Sequence, residues 1–143
     1  MIKSFRGSLA DGGMETIRLA TSNGLTGYKI HKFQLMVKEF GGTSNEHTVQ
    51  LFSYEQAAAS AVVDFDNSEL LGAAQISNSS NGASYPPGIQ VVFDNVKFNQ
   101  DIYITHVDNA SSDPINYYLE LEQVKLDLNE ATVATLKDMR GSN

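Results

Sequence analysis

Apolar positions in this chain recur mostly with a period of two, in short runs rich in β-branched and aromatic residues. Clusters of Gly, Asn, Asp and Ser separate them, the pattern of a β-sandwich or barrel. The first run, Ile2 to Leu9, ends at Asp11-Gly12-Gly13, where glycine supplies the positive φ a tight turn needs. Met14 to Thr21 follows, with Ile17 and Leu19 on one face. Asn23-Gly24 is the strongest short hairpin signal, although the spacer from Asn23 to Gly27 allows a longer loop. Further runs are Tyr28 to Glu39, Thr48 to Tyr54 with Val49 and Leu51 inward, Leu70 to Ser77, Ile89 to Phe93, Asp101 to Val107 and Ile115 to Leu128. About eight strands result.

Two runs change parity. Tyr28 and Ile30 share one face, whereas Phe33, Leu35 and Val37 share the other, so a β-bulge is predicted at His31-Lys32. In Ile115 to Leu128 the set Ile115, Tyr117, Leu119 and Leu121 gives way to Val124, Leu126 and Leu128. Bends of this kind let one strand serve two sheets. Strand count and bends together favour a jelly-roll-like antiparallel sandwich, one domain over residues 1–143. Segment Glu55 to Ala61 reads as a helical turn or small-residue loop, and Asn78 to Gly88, with Pro86-Pro87, as an exposed loop.

The tail departs from the β pattern. Val133, Leu136 and Met139 recur at helical spacing, which predicts a helix over about 130–140. Asn129 is the expected cap, Leu128 and Val133 the hydrophobic staple, and Gly141 the stop. Its apolar stripe either docks on its own sheet, the commoner outcome, or offers itself to a neighbour.

Composition narrows the chemistry. The 143 residues are 41% hydrophobic and 19% charged, which suits a single packed core and neither disorder nor a membrane span. A net charge of −7 makes nucleic acid a poor partner. Zero Cys removes disulfides, thiolate nucleophiles and Cys-ligated metals, and the N-terminal stretch lacks the apolar run of a secretory signal. With zero Trp, the usual sugar-stacking platform is missing.

No hydrolase, metalloprotease or nucleotide-binding motif is present, and His31, His47 and His106 read as structural or surface residues. The acidic stretch Asp64 to Glu69 collects hard oxygen ligands without a calcium-loop pattern, so it reads as a turn that caps local amides. Asp94, Asp101, Asp108 and Asp113 show no spacing that selects a catalytic pair. No enzyme activity, cofactor or metal is expected. Adjacent Tyr117 and Tyr118 must point to opposite faces, leaving one outside, and Tyr85 beside Pro86 is either a partner anchor or loop packing.

Three stretches, SNGLTGYKIHKFQLM (22–36), VVFDNVKFNQDIYITHVD (91–108) and NYYLELEQVKLDLNEATVATLKDMR (116–140), cover some two-fifths of the chain. In these the sequence resembles small virion-associated proteins of marine tailed bacteriophages. The resemblance implies a virion structural protein, a cement or decoration protein on the capsid surface that meets the host cytoplasm during assembly. It implies the major capsid protein as partner, self-association with a homotrimer as the usual form, and no catalytic residues. On this reading the contact elements are the first strand and the C-terminal helix, and the interface candidates are Phe5, Tyr85, Tyr118, Val133, Leu136 and Met139. The alternatives are a tail-associated receptor- or carbohydrate-binding module and a small hydrolase or lyase.

Overall fold

The computed structural model describes residues 1–78 and 89–141, and side chains as far as residue 136. The loop containing Tyr85 lies outside the described residues, as does the side chain of Met139. Eight strands and one helix are described: β1 (Ile2–Leu9), β2 (Met14–Ile17), β3 (Thr26–Val37), β4 (Asn45–Phe52), β5 (Leu70–Asn78), β6 (Ile89–Phe93), β7 (Ile102–Asp108), β8 (Ile115–Lys125) and α1 (Leu128–Gly141).

The strands form an antiparallel β-sandwich, with β1-β8-β3 in one layer and β2-β7-β4-β5-β6 in the other. Alternation explains which side chains meet between them. Ile115, Tyr117, Leu119 and Leu121 of β8 point inward, opposite Val49 and Leu51 of β4 and Ile102 and Ile104 of β7, and all are buried. Seven strands follow jelly-roll winding, β1-β8-β3 against β2-β7-β4-β5. The eighth does not. That winding sets β6 beside β3, but β6 stays hydrogen-bonded to β5, which leaves β3 as an edge.

The predicted bulge is present. Ile30 pairs with Leu121 and Lys32 with Glu120, so His31 is the extra residue and both halves of β3 keep their apolar side chains inward. The expected second switch, in β8, does not break that strand. Its register with β1 runs unbroken from Ile115 to Glu122, and the one irregularity with β3 lies on the β3 side. No strand among the described residues therefore serves two sheets; beyond Lys125 the chain leaves the layer, with Leu126 buried and Leu128 exposed. Gly12 has the positive φ its turn requires. Asn23-Gly24 also turns the chain, but β2 and β3 belong to different layers, so it makes a crossover and not a hairpin.

Helix α1 begins earlier than its apolar spacing suggests, because Asp127 and not Asn129 is the cap. Asp127 Oδ1 accepts the Glu130 amide at 2.7 Å, and Glu130 Oε1 accepts the Asp127 amide at 3.4 Å, a reciprocal capping box. The staple positions move with it, from Leu128 and Val133, both exposed, to Leu126 and Ala131, both buried. Docking uses the small-residue side of the helix. Asn99, fully buried, donates through Nδ2 to Gly24 O and Thr135 Oγ1, each at 3.0 Å, and to Ala131 O at 3.4 Å.

Segment 53–69 forms no helix and lies over the outer face of β4, where Gln50 Nε2 donates to Ser60 O at 2.9 Å and Val62 O at 3.1 Å. That cover explains why β4 is buried on both sides from His47 to Phe52.

Candidate functional site

Among the groups with catalytic potential, most side chains are committed to the fold. His47 and His106 lie at one end of the core, fully buried, with His47 Nδ1 and His106 Nε2 2.8 Å apart. His106 Nδ1 is 2.9 Å from Ala10 O, a partner that can only accept, so that nitrogen carries the proton. It follows that His106 Nε2 accepts and His47 Nδ1 donates, a chain that ends on the buried His47 Nε2, which has no hydrogen-bond partner among the described residues. Burial holds the His47 pKa below the usual imidazole value, opposed in part by the nearby Asp108 carboxylate. His31 is different: it stands exposed at the bulge, 3.8 Å from Glu120.

The carboxylates hold turns. Asp108 is pushed up by burial but held below the ordinary carboxylate range overall, because its oxygens accept the amides of Glu46, Asp113, Ala110 and Ser111. Asp101 accepts the amides of Leu19 and Ala20, and Asp113 accepts from Thr43 and Asn45. Asp94 and Asp101 share a cleft of about 340 Å³ that is floored by Leu70, Leu71 and Phe98, but Asp101 enters it already bonded to those two amides. In the acidic turn Asp64 Oδ1 accepts the Asp66 amide and Asn67 Oδ1 the Glu69 amide, both at 2.9 Å. Among the described residues no three His, Asp or Glu side chains converge to hold a metal ion.

The exposed apolar side chains are distributed otherwise. Because α1 docks through Ala131, Ala134 and Thr135, the larger Leu128, Val133 and Leu136 face outward, Val133 at 65% exposure. Of the interface residues expected from the sequence, Val133 and Leu136 are thus on the surface. Phe5 is half-buried against the core and so is not a free anchor on β1. Tyr118 takes the outer side of β8 and is half-buried, with its hydroxyl donating to Glu120 Oε2 at 2.6 Å, while Tyr117 points inward and donates to Glu15 Oε2 at 2.8 Å. Burial first, and then the Glu15 carboxylate, raise the Tyr117 phenol well above its ordinary pKa.

Two surfaces escape a reading of the sequence alone. Displacement of β6 opens a cleft of about 930 Å³ lined by residues of β1, β3, β6 and β8, in which Met36, Ile89 and Phe93 are exposed. The turn at Asp64 carries Val62 and Phe65, 74% and 72% exposed. The sequence signal for both is an apolar residue at a position where the strand or turn pattern calls for a polar one, as in VVDFD and IQVVF.

Charge is segregated as well. The three-stranded layer carries Lys3, Arg6, Lys29, Lys32 and Lys125 against Glu120 and Glu122, so fifteen of the seventeen carboxylates lie elsewhere in the chain. No family model and no curated protein matches this chain.

Proposed function

We propose that the chain is a non-enzymatic structural protein of a bacteriophage virion, a cement or decoration protein that binds the outer surface of the icosahedral head through the major capsid protein. The observation that carries this reading is the orientation of α1, which buries Ala131, half-buries Ala134 and presents Leu128, Val133 and Leu136 to solvent. A helix that needed only its own domain would bury the large side chains, since each contributes about 1.5–3 kcal/mol when removed from water. Further exposed apolar groups at Met36, Phe65 and Ile89 give the molecule several separate adhesive faces. Modest contacts of that kind suit a repeating lattice, because linked contacts multiply in strength. Phage-particle membership itself rests on the resemblance of the three sequence stretches.

Quantitative mass spectrometry of purified particles tests it. A copy number that scales with the capsid lattice is expected. Copies confined to the tail would favour the receptor- or carbohydrate-binding alternative, and absence from particles would end the reading.

A further inference from the structure

We infer that this chain self-associates head to tail, with the acidic turn at Asp64–Asn67 of one copy seated in the β3–β6 cleft of the next. The inference is independent of the virion reading and stands on two complementary surfaces. The turn is a hydrogen-bonded knob. Asp64 Oδ1 accepts the Asp66 amide, the Asn67 amide donates to Asp64 O at 3.1 Å and the Leu70 amide to Asn67 O at 3.2 Å, so the backbone under Phe65 is held by its own turn. Such preorganisation lowers the ordering entropy that docking would otherwise cost. Phe65 is 72% exposed and lies between the carboxylates Asp64 and Asp66.

The cleft is the matching hole. Its volume of about 930 Å³ is near the top of the roughly 300–1,000 Å³ range of binding clefts, which is room for a turn and not merely for one ring. Met36, Ile89 and Phe93 give it apolar walls, Arg6 and Lys32 give it positive charge, and no carboxylate lines it among the described residues. Glu120 at its margin is engaged by His31 and by the Tyr118 hydroxyl. Apolar knob flanked by negative charge thus meets apolar hole flanked by positive charge. A strand would fit less well, because the His31 bulge and Lys32 interrupt the β3 edge.

Intramolecular docking is barred by the anchoring of the segment. Val62 O is bonded to Gln50 on the outer face of β4, and β5 separates β4 from β6. Knob and hole are different patches, so repetition of the contact closes into a ring or runs on as a chain.

Sedimentation velocity of the full chain tests the inference with two variants whose altered side chains are all exposed, each first matched to the wild type by circular dichroism. Phe65→Ala/Asp66→Lys removes the knob but leaves Asp64 to hold the turn, and Arg6→Glu/Lys32→Glu reverses the hole. The wild type is expected to associate, less strongly as salt rises, and each variant alone to bind itself at least about thirtyfold more weakly. Mixed together, the two variants should form a one-to-one pair that grows no further, because one intact knob meets one intact hole. A wild type that stays monomeric up to its solubility limit, variants that associate like the wild type, or a mixture that fails to pair would each overturn the inference. The particle copy number is unaffected by any of these outcomes, so the two readings fail separately.

Discussion

Individual residues in this protein are constrained mainly by what sits directly opposite them. Gly7 of β1 faces Tyr117 of β8, and a Cβ built on Gly7 would meet the ring at 3.0 Å and its hydroxyl oxygen at 3.1 Å. Gly7→Ala should push Tyr117 off Glu15 and destabilise the fold by about 1–3 kcal/mol, read from urea unfolding. The buried His47 makes a second prediction, in pH. Its folded-state pKa is lowered by burial, whereas the unfolded value is 6.5, so below that value the unfolded state takes up a proton that the folded state resists. The contribution of this residue to stability is therefore present above pH 6.5 and is lost as pH falls through the folded-state value. His47→Gln keeps a donor toward His106 without titrating, and chemical denaturation across that range should show a shallower decline than in the wild type. The His pair itself is not legible in the sequence: His47 and His106 are 59 positions apart, and only the β4–β7 register brings them together.

Secondary-structure elements are legible where their cause is local. Short apolar runs bounded by turn residues mark the eight strands, and the parity change at Ile30 to Phe33 places the bulge at His31, where one extra residue keeps both halves inward. The analogous change after Leu121 suggests a bend and turns out to mark an ending, since sequence cannot say that the strand stops at Lys125 and that Leu126 is buried over Gly27. Asp127 and Asn129 are both good caps, and the Glu three positions after Asp127 is the discriminating signal. Apolar spacing cannot choose the outward face of α1, because what decides it is Asn99, a buried amide from a distant loop that ties down Ala131 and Thr135. Asn99→Ala should cost about 1–3 kcal/mol and lower the hydrogen-exchange protection of α1 more than that of β8. Leu136→Asp, on the exposed side, should leave the unfolding free energy within about 0.5 kcal/mol of the wild type but weaken attachment to particles, measured by co-sedimentation. Unchanged attachment would remove α1 from the contact surface.

At the scale of the whole molecule, strand pairing is governed by partners far apart in the chain, such as β1 with β8 and β2 with β7, which no local pattern encodes. Displacement of β6 belongs here too. Gly72 faces Phe93 so closely that an added Cβ would lie 2.9 Å from the Phe93 Cβ and 3.1 Å from Val92 O. Gly72→Ala should loosen β6 and raise the exchange of its amides, together with those of the β5 residues that pair with it. The concentration of Lys3, Arg6, Lys29, Lys32 and Lys125 in one layer of an otherwise acidic chain has a kinetic meaning. The molecule carries a permanent electric dipole, and a second charged body would exert a torque on it during diffusion. Productive encounters would then be selected by rotation in solution before any surfaces touch, so added electrolyte should slow capture far more than it speeds escape.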